Sequence, residues 1–231
     1  MRRRLYFQLS FLLVLFFLPG AVNSSEESRE TGELKSYQGQ ALGSVNDFRE
    51  NSIGGVRKVN PTKYRLRVDG LVKKPRSYTY QELKSFPRQK KVVTTHCVEG
   101  WSVTVLWEGI PISEWISRAG VDPKVNTVIF HAADGYTTSL DYKTVVDKNM
   151  LIADSANGIP LPAKLGFPFI LVAEDKWGYK WARWIERIQF TDKAGFRGYW
   201  EQRGYNQKGD ATGSRMDDTL YQQEIRKPSP Q

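Results

Sequence analysis

One cysteine, Cys97, occurs in the 231 residues of this chain. A disulfide needs two cysteines, so no disulfide within the chain can hold its fold together. The chain must instead bury a hydrophobic core, and a content of 40% hydrophobic residues is sufficient for one. We therefore expect a single folded domain. Its lone cysteine is either a small buried hydrophobic residue or a functional thiol.

The first 24 residues have the pattern of a signal peptide. Three arginines, Arg2 to Arg4, precede an apolar run from Leu5 to Leu18 that is too short to span a bilayer comfortably. Cleavage after Ser24 would release a mature chain that begins with an acidic stretch. We expect a periplasmic or otherwise exported protein, with an uncleaved anchor as the alternative.

The net charge of the whole chain is +9. Such a charge can indicate a nucleic-acid ligand, but here the basic residues are spread along the chain and alternate with acidic ones. We interpret the charge as serving solubility or an anionic ligand, and expect no nucleic-acid partner.

The sequence predicts a flexible leader at residues 25–45, a folded domain at 46–210 and a polar tail at 211–231. Apolar alternation and β-branched runs predict five strands, at residues 64–68, 91–95, 125–130, 167–173 and 185–190. Three helices are predicted: one from Thr79 that ends before Pro87, one from Pro111 to Gly120, and one from its N-cap Asp141 to Lys148. These helices are too short for a regular doubly wound sheet, so the predicted class is α+β with a strand-rich core.

The segment Thr95–Ser102 places a thiol, an imidazole, a carboxylate and an indole just past a predicted strand, where open α/β sheets usually keep their chemistry. Three hypotheses account for Cys97. The first makes it a nucleophile with His131 as base, since the adjacent His96 would point to the opposite face of the strand. The second makes it a zinc ligand, but zinc needs three or four ligands and the chain has one Cys and two His. The third, one thiolate on a metal whose other ligands come from a cofactor, fits this count.

The run His-Cys-Val-Glu-Gly-Trp-Ser at 96–102, followed by Trp-Glu-Gly-Ile-Pro at 107–111, resembles the cysteine loop of sulfite-oxidase-type molybdopterin domains. Within that family it is most similar to the catalytic subunit of periplasmic methionine sulfoxide reductase and its small bacterial relatives. Further similar runs lie at residues 134–139, 161–162, 176–180 and 198–205. The resemblance extends over most of the predicted mature chain.

The resemblance implies a sulfite-oxidase-type fold and an oxidoreductase with a Mo-molybdopterin cofactor, whose molybdenum is bound by Cys97 and by the two sulfurs of the pterin. It also implies oxygen-atom transfer to or from a small, sulfur-containing substrate. The sequence has no Cys-x-x-Cys-His haem motif. The expected electron-transfer partner is therefore a separate protein, either a membrane haem subunit or a soluble cytochrome.

Several residues take cofactor-binding positions by the same resemblance. Gly178, Tyr179 and Lys180 match the pterin-binding loop, where glycine lets backbone N–H groups approach a phosphate and lysine adds a positive charge. The other expected cofactor-binding residues are Arg183, Ala132, Asn46, Arg49 and Glu50.

Three acid–base residues complete the expected catalytic set around Cys97. Glu99, His131 and Asp134 are expected over the open face of the metal as proton carriers, because oxygen transfer also moves protons. Their alternative, purely structural roles are a loop cap, a strand surface residue and the first residue of an Asp-Gly turn.

Two positions depart from the family pattern. Leu165 and Ile170 stand where close relatives have an asparagine and an arginine on the cofactor, and neither can make those polar contacts. A lost charge-assisted contact costs roughly 1.5–3 kcal/mol, so another basic residue must replace it if the cofactor is held equally well. The candidates are Lys164, Lys176 and Arg183. The alternative is a cofactor-free binding or scaffold protein on the same fold.

Overall fold

The computed structural model describes residues 31–218. The predicted signal peptide, residues 1–24, lies outside the described residues, as does the end of the predicted tail. Twelve strands and three α-helices occur in the described part of the chain. No helix between residues 31 and 218 is long and apolar enough to cross a membrane.

The strands, in chain order, are β1 (Ser36–Tyr37), β2 (Gln40–Ala41), β3 (Arg65–Gly70), β4 (Arg76–Thr79), β5 (Gln89–His96), β6 (Ser102–Pro111), β7 (Thr127–Ala132), β8 (Thr137–Asp141), β9 (Leu151–Ala156), β10 (Ile159–Pro160), β11 (Ile170–Val172) and β12 (Ile185–Thr191). The helices are α1 (Tyr80–Lys84), α2 (Ile112–Ala119) and α3 (Tyr142–Asp147).

Ten of these strands form two five-stranded sheets. The first has the order β10-β9-β6-β5, with β11 also paired to β9, and the second has the order β4-β3-β12-β7-β8. Only the pairing of β12 with β3 is parallel within the described sheets. One apolar core joins the sheets and includes Trp107 of β6, Trp115 of α2 and Phe130 of β7. The predicted strand-rich α+β class is confirmed.

The three predicted helices are present because local capping residues fix where they begin. Thr79 and Glu82 form a reciprocal capping box at the start of α1, and the Asp141 carboxylate accepts the Thr144 backbone N–H at 2.9 Å at the start of α3. Pro111 is the N-cap of α2 rather than its first helical residue, and Gly120 ends the helix with a φ of +64°.

All five predicted strands occur, but seven others were not predicted: the four longer strands β4, β6, β8 and β9 and the two-residue strands β1, β2 and β10. β6 is a central strand, paired with β5 on one side and β9 on the other. Residue 109 of this strand is a glycine because a Cβ there would stand 2.4 Å from the Cα of Ala153 on β9. Glycine therefore allows close strand contact here, although in a sequence it usually argues against a strand.

Part of the predicted flexible leader is packed on the domain. The carboxylate of Glu33 is buried and accepts hydrogen bonds from the Val45 backbone N–H at 2.9 Å and the Asn157 side chain at 3.1 Å. The predicted polar tail also packs at its start, where Arg215 donates to the Val98 carbonyl at 2.8 Å. Polar composition was misleading in both segments, because these polar groups bind the domain instead of water.

Candidate active site

A cavity of about 240 Å³ opens beside the carboxyl end of β5. Its lining contains a single thiol, that of Cys97, together with two carboxylates, two guanidinium groups and many aromatic rings. The charged lining residues are Glu99, Asp134, Arg49 and Arg183, and the aromatic ones include Phe48, Trp101, Tyr179, Trp181, Trp200 and Tyr205. The arrangement can hold a ligand that is partly apolar and carries negative charge.

Cys97 is presented to the cavity by a tight loop. Its backbone N–H donates to the Trp101 carbonyl at 2.9 Å, and its carbonyl accepts from Gly100 at 3.1 Å. The side chain is buried, with the Asn51 amide nitrogen 3.8 Å from the sulfur. Burial raises the pKa of the thiol, although the backbone N–H of Glu99 opposes the rise. A metal that binds this sulfur would displace its proton.

Two hydroxyls in the cavity lining have no hydrogen-bond partner among the described residues. They are Ser52 Oγ and Thr95 Oγ1, and both oxygens are buried. Thr95 lies near the end of β5, two positions before Cys97, and both residues line the cavity. Unpartnered buried hydroxyls are rare in folded proteins, and a bound polar group would satisfy them.

The donor set fits a metal that brings most of its own ligands. No group of three His, Cys, Asp or Glu side chains with metal-binding geometry occurs in the part of the chain that the structure describes. Cys97 is the one thiol of the lining, and Arg49 and Arg183 supply positive charge for an anionic group. A pterin cofactor with a phosphate and two sulfurs matches these requirements.

Seven of the predicted site residues line the cavity: Cys97, Glu99, Asp134, Arg49, Gly178, Tyr179 and Arg183. Glu99 accepts a hydrogen bond from the Trp101 indole at 3.1 Å, and Asp134 accepts the Tyr136 backbone N–H at 3.0 Å. Gly178 packs against the cysteine loop, because a Cβ there would lie 3.7 Å from the Cys97 Cα.

Arg183 is the basic residue held most firmly at the cavity. Its guanidinium donates to the Asn51 side chain at 2.7 Å and the Lys164 carbonyl at 3.0 Å, and lies 3.4 Å from the Glu50 carboxylate. Its side chain is only 16% exposed. Burial lowers its pKa, and the negative charge of Glu50 opposes this. Glu50 thus reaches the site through Arg183 rather than by lining the cavity.

Besides Glu50 and Lys180, three predicted site residues lie outside the cavity lining. His131 faces away on β7, where its Nε2 is 3.1 Å from the Gln189 side chain, and burial lowers its pKa. Ala132, the next residue, is buried opposite Ile185 of β12. Asn46 binds the Lys164 ammonium at 3.1 Å. His131 is not placed to act as a base for Cys97.

Lys180 does not contact the cavity, contrary to its predicted role in phosphate binding. Its ammonium is fully buried, 2.5 Å from the Glu201 carboxylate, and donates to the Ser139 carbonyl at 3.0 Å. Burial lowers the pKa of Lys180, while the charge of Glu201 opposes this. Lys176 is likewise committed to Asp210 at 2.5 Å.

Of the three candidates for the missing charge, only Arg183 lines the cavity. Several other lining residues were not predicted, including Asn51, Ser52, Thr95 and Tyr205. The sequence indication for Thr95 was its place at the end of the predicted strand, two positions before Cys97. Nothing in the sequence pattern marks Asn51.

A sequence profile described as "Oxidoreductase molybdopterin binding domain" matches residues 53–200, more than half of the chain. The chain belongs to this family. It is therefore a molybdopterin-binding oxidoreductase with a sulfite-oxidase-type domain and a Mo-molybdopterin cofactor. The resemblance of the cysteine loop is confirmed.

Similar proteins carry related names. The chain is 37% identical over 150 residues to the "Uncharacterized oxidoreductase YuiH" of Bacillus subtilis (strain 168), covering 64% of this chain and 75% of that one. It is 37% identical over 151 residues to the "Putative protein-methionine-sulfoxide reductase subunit YedZ1" of Azospira oryzae, covering 65% and 57%. It is 29% identical to the "Protein-methionine-sulfoxide reductase catalytic subunit MsrP" of Ralstonia nicotianae, covering 58% and 46%.

A solved structure has the same type of fold. The sulfane dehydrogenase SoxCD from Paracoccus pantotrophus matches with a TM-score of 0.59 and 27% identity, over 61% of this chain and 41% of that one. The match therefore spans three quarters of the first relative but about half or less of the methionine sulfoxide reductase subunit and of the dehydrogenase.

Proposed function

We propose that this molybdopterin enzyme transfers an oxygen atom to or from a small sulfur-containing substrate in an exported compartment. The observation that carries the proposal is the single cysteine, Cys97, in the lining of an aromatic and cationic cavity. Relatives named for methionine sulfoxide reduction and sulfane dehydrogenation support sulfur as the reacting element. A soft, aromatic lining also suits sulfur-containing groups.

Each residue of the site has a part that follows from its position. Cys97 binds the metal, and Arg183 and Arg49 offset the negative charge of the cofactor. When bound, Mo-molybdopterin supplies the two-electron oxidation and reduction that oxygen-atom transfer requires. Glu99 and Asp134 are the carboxylates of the lining, so they can give and take the accompanying protons.

The test begins with protein expressed in a host that makes the cofactor. Molybdenum and pterin are measured per chain, and the enzyme is assayed as a reductase of small sulfoxides and as an oxidase of sulfite. We expect about one molybdenum per chain and turnover in one of these directions. Folded protein without metal from such a host would contradict the proposal.

Cys97→Ser and His131→Gln form a matched pair of variants. Cys97→Ser should lose molybdenum and activity, whereas His131→Gln should keep both because His131 lies outside the cavity lining. A cysteine hydrolase that uses His131 as base predicts loss with both variants. The hydrolase alternative also predicts that Cys97 is alkylated readily in protein from the cofactor-producing host. A metal-bound thiolate resists alkylation.

The second candidate function is a cofactor-free binding protein. Leu165 and Ile170 favour it, because both are buried in the cavity lining and present no polar group to a pterin. The metal measurement separates the two functions, since this candidate predicts a folded wild-type chain without molybdenum.

Export and the electron partner are tested in the native host. We expect the mature chain in the periplasmic or secreted fraction, beginning at Ser25, and amino-terminal sequencing checks this. Adding substrate and enzyme should change the haem absorbance of either the membrane or the soluble fraction, which identifies a membrane haem subunit or a soluble cytochrome. An unprocessed cytoplasmic chain, or no haem response in either fraction, would contradict these parts of the proposal.

A further inference from the structure

Two sequence runs that the proposed chemistry does not explain meet in the interior. Gly-Tyr-Lys at 178–180 and Gly-Tyr-Trp-Glu at 198–201 are joined by the ion pair between Lys180 and Glu201, 2.5 Å apart. Both side chains are 0% exposed. A buried ion pair is costly unless its geometry is good, so its presence here needs an explanation.

Further hydrogen bonds hold both charged groups of this pair in one position. Thr138 donates to the same Glu201 oxygen at 2.6 Å, and Lys180 also donates to the Ser139 carbonyl at 3.0 Å. The second Glu201 oxygen is buried without a partner among the described residues. With β8 holding both charges, each one fixes the place of the other.

Each charge is next in sequence to a ring that lines the cavity. Tyr179 precedes Lys180 and Trp200 precedes Glu201, and both rings pack on Tyr205, with ring centroids 5.0 and 5.2 Å away. We call Tyr179, Trp200 and Tyr205 the aromatic wall. Neither Lys180 nor Glu201 lines the cavity, and the Lys180 ammonium lies 5.8 Å from the centroid of the Tyr179 ring.

Glycines bring the surrounding backbone close to the pair. A Cβ on Gly209 would stand 2.7 Å from Lys180 Cγ, and a Cβ on Gly198 would stand 2.2 Å from the Thr137 carbonyl oxygen. The segment that carries Trp200 and Tyr205 is therefore pressed against β8 and the Lys180 stem. A shift of either charge would move the aromatic wall.

We propose that Lys180 and Glu201 are positioning residues, whose buried ion pair fixes the position of the aromatic wall of the cofactor cavity. Lys180 then acts on the cofactor through Tyr179 and Trp200, and not as a phosphate ligand. The proposal rests on the cavity being the cofactor site, but its main measurements use the cofactor-free protein and so do not depend on oxygen transfer.

The variants are Glu201→Gln, Lys180→Met and the neutral double variant K180M/E201L. Three quantities are measured: the thermal unfolding of the cofactor-free protein, hydrogen exchange of its 198–206 segment, and molybdenum retained per chain. The control is Lys176→Met, which breaks the nearby Lys176–Asp210 pair, whose aspartate is 49% exposed.

Both single variants should lower the melting temperature, speed exchange in 198–206 by about tenfold or more, and lose cofactor to a similar degree. The control should leave exchange in this segment near the wild-type rate. If Lys180 were instead a phosphate ligand, Lys180→Met would lose cofactor while Glu201→Gln kept it, and that result would overturn the proposal.

The double variant keeps the test decisive if a single variant fails to fold. Replacing both charges by apolar groups leaves neither one unpaired, so the chain should fold. We expect 198–206 to exchange faster than in the wild type and the KM for substrate to rise more than kcat falls. Wild-type exchange and wild-type cofactor retention in this variant would show that the charges do not position the aromatic wall.

Discussion

The Thr95 hydroxyl should destabilise the cofactor-free protein, but should stabilise the protein once a bound cofactor gives it a hydrogen-bond partner. Thr95 Oγ1 is buried without a partner among the described residues, and such an atom costs about 1–3 kcal/mol. Thr95→Val keeps the shape and removes the orphaned oxygen, so it should raise the unfolding free energy of the cofactor-free protein by about 1 kcal/mol. Denaturant titration of that protein measures the change.

The neighbouring Thr94 is the matched control for Thr95. Its hydroxyl lies 2.7 Å from that of Thr104 across β5 and β6, so Thr94→Val should lower the unfolding free energy. A similar loss with Thr95→Val would show that its hydroxyl already has a partner in the folded protein.

Arg183 is the residue expected to supply the charge that Ile170 cannot. Arg183→Gln should weaken cofactor retention by roughly tenfold or more, since a charge-assisted contact to a phosphate is lost. Cofactor retention by Arg183→Lys should lie between that of the wild type and that of Arg183→Gln, because lysine keeps the charge but lacks the planar guanidinium group. The rate of pterin release, followed by fluorescence, measures this, with Arg76→Gln on the exposed surface as control. Equal release rates for Arg183→Gln and the control would exclude Arg183 as the replacement.

At the scale of elements, β6 depends on a glycine that permits close strand packing. A Cβ on Gly109 would meet the backbone of Ala153 and Ile152 at 2.4 Å. Gly109→Ala should therefore lower the unfolding free energy by about 3 kcal/mol or more, because backbone cannot move aside as a side chain can.

Gly55 separates this steric cost from the usual cost of replacing glycine. It has a φ of +76° but no atom within 4 Å of an added Cβ, so Gly55→Ala should cost only about 1–2 kcal/mol. Chemical denaturation of both variants compares them directly. An equal cost at the two positions would mean that β6 and β9 can separate easily.

The sequence predicted correctly the elements that are determined by residues close together in the chain. The helical spacing that follows Thr79 and the stop at Pro87 predicted α1 correctly, and the capping box that begins this helix spans only four residues. β6 was missed because the feature that decides it, the contact of Gly109 with Ala153, joins residues far apart in the chain. The cysteine loop was found because its motif is contiguous, while the ion pair of Lys180 was missed because its partner Glu201 lies 21 residues away.

At the scale of the whole molecule, buried carboxylates join distant segments, and their pKa shifts predict how stability varies with pH. Burial of Glu33 favours its neutral form, but hydrogen bonds from Val45, Asn157 and Ser44 outweigh this and lower its pKa. The stabilisation from Glu33 is therefore present above its unfolded pKa and is lost as the pH falls through its folded pKa. The Glu33 carboxylate ties the amino-terminal hairpin, which is β1 and β2 with their flanking residues, to Asn157 in the turn after β9.

Glu33→Gln should accordingly destabilise the protein at neutral pH, and the difference from wild type should shrink as the pH falls below about 4. Glu186, an exposed residue of β12, is the control of opposite sign, because partial burial raises its pKa. Its contribution becomes unfavourable as the pH rises above its unfolded pKa, so Glu186→Gln should stabilise the protein slightly at neutral pH and lose that advantage in acid. The effect is small because solvent screens an exposed carboxylate. Unfolding free energies across this pH range test both, and a pH-independent difference for Glu33→Gln would show that its carboxylate charge does not hold the amino-terminal hairpin.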